Sequence, residues 1–202
     1  MTPALRIGVL SLQGDVREHL VALRACGVEG VAVGDRAALT SVDGLVLPGG
    51  ESTTMSKLAV RDGLLEPLRE AQRAGLPMFG SCAGMIMLAD RTLDAREDQE
   101  TIGGLDVTVR RNAFGRQVDS FEADVDMAML GGPAFPAIFI RAPWVEGAGA
   151  GVEVLARIDR PRGPDTIVAV RQGPLVATSF HPELTGDTRI HEMFIDMVRQ
   201  YT

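Results

Sequence analysis

Residues 80–84 read Gly80-Ser81-Cys82-Ala83-Gly84. An apolar run, Leu76-Pro77-Met78-Phe79, leads into them, and Met85-Ile86-Met87-Leu88-Ala89 leads out. The first has the length of a short buried strand and the second reads as the start of a helix. Cys82 then lies on a sharp strand-to-helix turn between small residues, the nucleophile-elbow pattern with cysteine in place of serine. The glycines allow a tight backbone and close approach of a substrate. The free N–H groups and positive dipole end of the following helix favour thiolate, the reactive form. A buried structural cysteine ahead of a helix would show the same pentapeptide, so the choice between the two rests on the remaining chain.

Upstream, apolar segments alternate with amphipathic ones. Arg6 to Leu10 reads as a strand, followed by the loop Ser11-Leu12-Gln13-Gly14-Asp15. Asp15 is placed to cap a helix from Val16 to Ala25, which Gly27 ends. Val28 to Val33 reads as a second strand, followed by a short connection through Asp35 and Ala38. Gly44 to Leu47 reads as a third and runs straight into Pro48-Gly49-Gly50-Glu51-Ser52. Glycines between a strand and a helix, here Thr53 to Leu58, can present backbone N–H groups to an anion; a plain turn capped by Ser52 is the alternative. No Gly-Lys-Ser/Thr follows, so this is not a P-loop. Leu64 to Ala74 is another helix, stopped by Gly75. The alternation predicts an α/β fold of three layers, a mostly parallel sheet flanked by helices, in one domain spanning residues 1–202. Sites in such sheets form beyond the strand C-terminal ends. Gln13, the Gly49-Gly50-Glu51 turn and Cys82 all fall there.

Downstream, Asp94 to Glu100 is charged and reads as a solvated loop. Val107 to Arg110 alternates like a strand. Arg111-Asn112-Ala113-Phe114-Gly115-Arg116-Gln117 is a cation-rich turn, either a surface loop or a clamp for carboxylate or phosphate. Ala137 to Ile140 is a short strand ending at Arg141, and Gly147 to Gly151 reads as a flexible turn. Val152 to Ile158, Thr166 to Val170 and Leu175 to Phe180 read as successive strands, with a helix from Thr188 to Val198 closing the chain.

His181-Pro182-Glu183 follows directly on the last of those strands. A cysteine nucleophile needs a base, because a thiol is largely un-ionised at neutral pH. His181 can supply it, and Glu183 can hold the imidazole in the required tautomer. The alternative is a capping turn with His181 merely packed. His19, in the first helix, reads as a surface or satisfied core histidine, and Cys26 as a small core or boundary residue.

The totals restrict the function classes. The chain has 202 residues, 46% hydrophobic and 23% charged, in keeping with a globular protein. A formal net charge of -7 argues against non-specific nucleic-acid binding, which depends on surplus Lys and Arg. Two cysteines, Cys26 and Cys82, are too few for a disulfide framework and suit a reducing cytoplasm. The first 15 residues make no secretory signal, and no uninterrupted apolar run reaches the length of a membrane span. With three histidines and no Cys-x-x-Cys or His-x-x-x-His pair, no metal is expected.

Gly-x-Cys-x-Gly, Pro-Gly-Gly-Glu-Ser and His-Pro-Glu, in this order, resemble the class I (triad) glutamine amidotransferases, whose fold is flavodoxin-like. The five stretches 11–15, 47–54, 80–84, 111–117 and 180–184 together resemble the glutaminase subunits of pyridoxal 5'-phosphate synthase. The resemblance implies hydrolysis of L-glutamine to L-glutamate and ammonia, with the ammonia passed to a separate synthase subunit in a large hetero-oligomer. Pyridoxal phosphate is then a product of the complex, and no cofactor is expected here. It implies Cys82 as nucleophile, His181 as base and Glu183 as its orienting group. Backbone N–H groups of Gly50 and Ala83 become the oxyanion donors, and Gln13 a sensor of the partner beside them. Glu51, Ser52, Arg111 and the Ile140-Arg141 pair become the glutamine-binding set, with a cation facing the substrate α-carboxylate and Glu51 its ammonium. Rival readings are the glutaminase subunit of another amidotransferase, such as imidazole glycerol phosphate synthase; a cysteine peptidase on the same sheet; and a regulatory protein with a decayed site.

Overall fold

The computed structural model describes residues 5–111, 120–160 and 163–202, and no side chains at 160–164. The first half of the chain winds β1 (Arg6–Leu10), α1 (Val16–Ala25), β2 (Glu29–Val33), α2 (Arg36–Leu39), β3 (Gly44–Leu47), α3 (Ser52–Arg61), α4 (Leu65–Arg73), β4 (Met78–Ser81) and α5 (Ala83–Leu88). The second half is mostly strand: β5 (Ala89–Leu93), β6 (Leu105–Arg110), β7 (Ser120–Val125), β8 (Phe135–Ile140), β9 (Trp144–Ala148), β10 (Glu153–Arg160), β11 (Gly163–Gln172) and β12 (Leu175–Thr178). Helix α6 (Arg189–Tyr201) ends it.

The main sheet runs β2-β1-β3-β4-β12-β11-β9-β6-β5, with β10 paired to β11. From β2 to β12 every pairing is parallel. Strands β1, β3, β4 and β12 are short and almost wholly buried, as expected for parallel strands covered on both faces. Beyond β12 the sheet turns antiparallel, through β11, β9 and β6, before a last parallel pair of β6 and β5. Two apolar layers flank it. One face packs Met55, Leu68, Met85 and Leu88, from α3, α4 and α5, against Leu47, Met78 and Leu175. The other packs Leu23 of α1 and Phe194 and Val198 of α6 against Ile7, Val46 and Phe79. A separate β7–β8 hairpin lies on that second face, contributing Phe135 and Phe139. Among the described residues no helix is long and apolar enough to cross a membrane.

Several local expectations need correction. The apolar run 85–89 is helical as expected but short: α5 stops at Leu88 and Ala89 begins β5. The connection after β2 contains the one-turn helix α2, which Asp35 caps by accepting from the Ala38 N–H at 2.8 Å. Residues 147 and 148 are not turn but the end of β9, where Gly147 pairs with Thr108 and Ala148 with Val107. Helix α3 is capped by the carboxylate of Glu51, not by Ser52. Asp15 makes no side-chain cap to α1; its carboxylate goes elsewhere. Residues 112–117 of the cation-rich stretch, and 161–162 of the Pro/Gly-rich turn, lie outside the described residues.

Candidate active site

Four parallel strands end at one edge of the sheet, and each delivers part of a single cavity. The β1–α1 loop brings Gln13 and Asp15, the β3–α3 turn Gly50 to Ser52, the β4–α5 elbow Cys82 and Ala83, and the chain after β12 brings His181. The register places Thr178 of β12 beside Ser81 of β4, so the residues that follow each strand become neighbours. The cavity of ≈ 330 Å³ is also lined by Arg111, Ile140 and Arg141. Its size falls at the small end of small-molecule sites.

The elbow forms because its flanking residues carry no side chain. A Cβ on Gly80 would run into the backbone of Gly84, and one on Gly84 into the backbone carbonyl of Leu47. Strand, turn and helix can therefore pass at backbone contact. Cys82 pays for this with φ 48°, a conformation costing a non-glycine residue about 1–3 kcal/mol. Its own N–H is tied to the Thr178 carbonyl at 2.8 Å. The Ala83 N–H, at the first helical position, has no intrahelical partner and is the donor left at the elbow.

His181 is 4% exposed. Its Nδ1 donates to Glu183 Oε1 at 2.8 Å and lies 3.2 Å from Asp15 Oδ2. With Nδ1 turned to carboxylates, Nε2 is the nitrogen left for Cys82. Burial pulls the imidazole's pKa down, but its hydrogen bonds to Asp15, Cys82 and Glu183 outweigh that and hold it well above the ordinary value. Burial pushes the Glu183 carboxyl upward. A thiol beside an imidazole so supported can lose its proton and attack a carbonyl carbon.

The second oxygen of Glu183 points inward to a polar cluster unforeseen from the sequence. His19 Nε2 lies 3.5 Å from Glu183 Oε2 and 3.0 Å from Ser81 Oγ, and His19 Nδ1 meets His191 Nε2 at 2.9 Å. Both histidines are fully buried and held in the neutral form, chiefly by desolvation, which lowers His191 to about 4. His19 is thus a core histidine, as one of its two readings had it, and it lies behind the Glu183 carboxylate.

The glycine turn is held from two sides. The Gly49 carbonyl accepts from the Asp15 N–H at 3.2 Å, and the Glu51 N–H donates to Gln13 Oε1 at 2.8 Å. Gln13 therefore touches the turn directly. Gly49 lacks a side chain where the His181 ring packs, and Gly50, at φ 149°, where Gln13 packs. Glu51 accepts from the Thr53 and Thr54 N–H groups, from Thr54 Oγ1 at 2.8 Å and from Arg111 at 3.0 Å. Burial raises its pKa, but these bonds from Thr54 and Thr53 prevail and keep it below the usual carboxylate range. Four donors meet its two oxygens, so Glu51 caps α3 and holds Arg111 at the cavity wall. Gln99 joins this set from within the charged loop 94–100. Its Oε1 accepts from Arg111 at 2.9 Å and from Thr53 Oγ1 at 3.0 Å, and its Nε2 donates to Ser52 Oγ at 3.2 Å. A lone Gln between Asp98 and Glu100 carries no sequence signal for such a contact.

A partly parallel sheet with a cysteine elbow beside a carboxylate-paired histidine fits the triad type of glutamine amidotransferase. Comparison with known proteins agrees. Residues 9–200 match the model of the SNO glutamine amidotransferase family, and the chain belongs to that family. It is 60% identical over 200 residues to the pyridoxal 5'-phosphate synthase subunit PdxT of a Nocardioides species, covering 99% of each chain. It is 64% identical over 195 residues to the same subunit of Nocardia farcinica, covering 96% of this chain and 85% of that one. A crystal structure described as a glutamine amidotransferase superposes with a TM-score of 0.88 at 45% identity, covering 96% and 98% of the two chains. A putative GMP synthase component from Thermoplasma acidophilum, at 18% identity and a TM-score of 0.68, covering 100% of this chain and 97% of that one, shares the fold.

Proposed function

We propose that this chain is the glutaminase of a pyridoxal 5'-phosphate synthase, hydrolysing L-glutamine at Cys82 and delivering ammonia to a separate synthase subunit. One observation carries the reading: Cys82 stands on a strained elbow against a histidine whose Nδ1 is held by Glu183 at 2.8 Å. His181 takes the thiol proton, and the sulfur attacks the side-chain amide carbon of glutamine. The backbone N–H groups of Ala83 and Gly50 then serve as donors to the oxygen as it becomes negative, where donors act most strongly. As the intermediate collapses, the C–N bond breaks and His181 gives its proton to the departing ammonia. A water molecule, deprotonated by the same histidine, then cleaves the thioester to glutamate and regenerates the thiol. Glu183 keeps the imidazole oriented throughout. Arg111, fixed by Glu51 and Gln99, and Arg141 supply the cations for the substrate α-carboxylate. Ser52 and Ile140 complete the wall, with the Ile140 carbonyl 3.9 Å from the sulfur. Residues 1–202 act as one domain, without cofactor or metal, in a hetero-oligomer with the synthase subunit. A cytoplasmic location suits its two free thiols, Cys26 and Cys82.

The test is ammonia release from glutamine by the chain in complex with its synthase subunit. Cys82→Ala should abolish turnover and leave the fold and assembly intact; substantial turnover by that variant would overturn the assignment.

A further inference from the structure

We propose that Asp15 is a second positioning carboxylate for His181, so that the base is oriented by an Asp15/Glu183 pair in place of Glu183 alone. The proposal rests on the triad reading above. Asp15 precedes α1 at the cap position, yet its side chain makes no capping bond. Its Oδ2 lies instead 3.2 Å from His181 Nδ1, the same nitrogen that Glu183 Oε1 holds at 2.8 Å.

The chain is built to bring it there. Gly14, at φ 101°, has no room for a Cβ against the Gly49 carbonyl. That contact lets the Asp15 N–H reach the same carbonyl at 3.2 Å. Asp15 thus grips the glycine turn with its backbone and the base with its side chain. Gly49, also without a Cβ, leaves the space in which the carboxylate and the imidazole ring meet.

The two carboxylates sit in different surroundings. The Glu183 side chain is wholly buried, and that of Asp15 is 35% exposed at the cavity wall. Burial makes a charge on Glu183 costly, whereas Asp15 keeps part of its surface in water, where a negative charge is carried at little cost. Glu183 therefore sets the ring's direction through the shorter bond. Asp15 supplies negative charge beside the imidazolium that forms when Cys82 loses its proton.

A single neutralised carboxylate should then be tolerated far better than two. In the assembled complex, Asp15→Asn and Glu183→Gln should each lower kcat by roughly tenfold, and the double variant by a thousandfold or more, about the scale on which a triad loses its orienting charge. The Cys82 alkylation rate with iodoacetamide at neutral pH, which needs no glutamine binding, should show the same excess over the product of the single effects. Asp15→Asn removes no helix cap, so a loss in its thermal melt reports the contact with His181. Additive effects, or a neutral Asp15→Asn in both backgrounds, would overturn the proposal. Should the double variant fail to fold, the His181 Nδ1–H proton resonance of the wild type and Asp15→Asn decides. A shift supports the pair, and an unmoved signal rejects it. Cys82→Ala measured alongside separates the two levels. Turnover by that variant defeats the triad itself, whereas an inactive Cys82→Ala with additive carboxylates defeats only the role of Asp15.

Discussion

Gly49→Ala tests how closely the base is held. The backbone at Gly49 has ordinary φ, so alanine brings no torsional strain of its own. The added methyl would stand 2.6 Å from His181 Nδ1 and 3.1 Å from Asp15 Oδ2, and still closer to ring carbon Cε1. Ordinary carbon contacts lie near 3.5–4.0 Å, so the ring must retreat by about 1 Å. A ring only 4% exposed has nowhere to go without stretching the 2.8 Å bond to Glu183. Misplacing a catalytic group by that much costs about a hundredfold in rate, or about 2.7 kcal/mol of barrier. Overpacking should also cost about 1–3 kcal/mol of stability. The assay is steady-state ammonia release at saturating glutamine by the complex, beside a thermal melt. Gly147→Ala is the control, since a Cβ there meets nothing within 4 Å. A folded Gly49→Ala enzyme with kcat within threefold of wild type would refute the view that this glycine exists to admit the imidazole.

Three further outcomes follow from the same geometry. His181→Asn should lose nearly as much glutaminase rate as Cys82→Ala, because nucleophile and base act as a unit; near-normal initial rates would place the base elsewhere. The isolated chain should hydrolyse glutamine poorly and be activated by its synthase subunit, and Gln13→Ala, which frees the Glu51 N–H, should blunt that activation while sparing alkylation of Cys82; equal turnover alone and in complex would defeat this. His191 has its pKa depressed to about 4 in the fold, so the unfolded chain, titrating near 6.5, binds the extra proton as pH falls between the two values. Stability contributed by the neutral imidazole is therefore lost on acidification, by about 2 kcal/mol between pH 7 and 5; urea melts of wild type and His191→Asn should diverge by that much, with the opposite contribution of His181 common to both, and parallel pH profiles would contradict it.

Local pattern was enough to place the working residues on their elements. Short apolar runs alternating with amphipathic segments placed β1, β3 and β4 in a parallel sheet and β12 as a strand, so these strands and the loops after them were legible from residue order. Cys82 between small residues and the His181-Pro182-Glu183 tripeptide carried their chemistry in their spacing. What no linear pattern could show is adjacency. Only the sheet order puts β12 beside β4, and so His181 beside Cys82, although 98 positions separate them in the numbering. The reading of Asp15 as a helix cap was sound by local rules. Tertiary structure overrode it because Gly14 and Gly49 touch, and a carboxylate gains more beside a buried imidazole than at a solvated helix end. Glu51 lines the cavity and in addition caps α3, where the local pattern had offered Ser52. His19, Ser81, His191 and Gln99 had no local signature, because a buried polar side chain is defined by the partners that satisfy it, and those partners come from distant strands and helices. The residue types available for catalysis were written in the chain, and the choice of partners for each was made by packing.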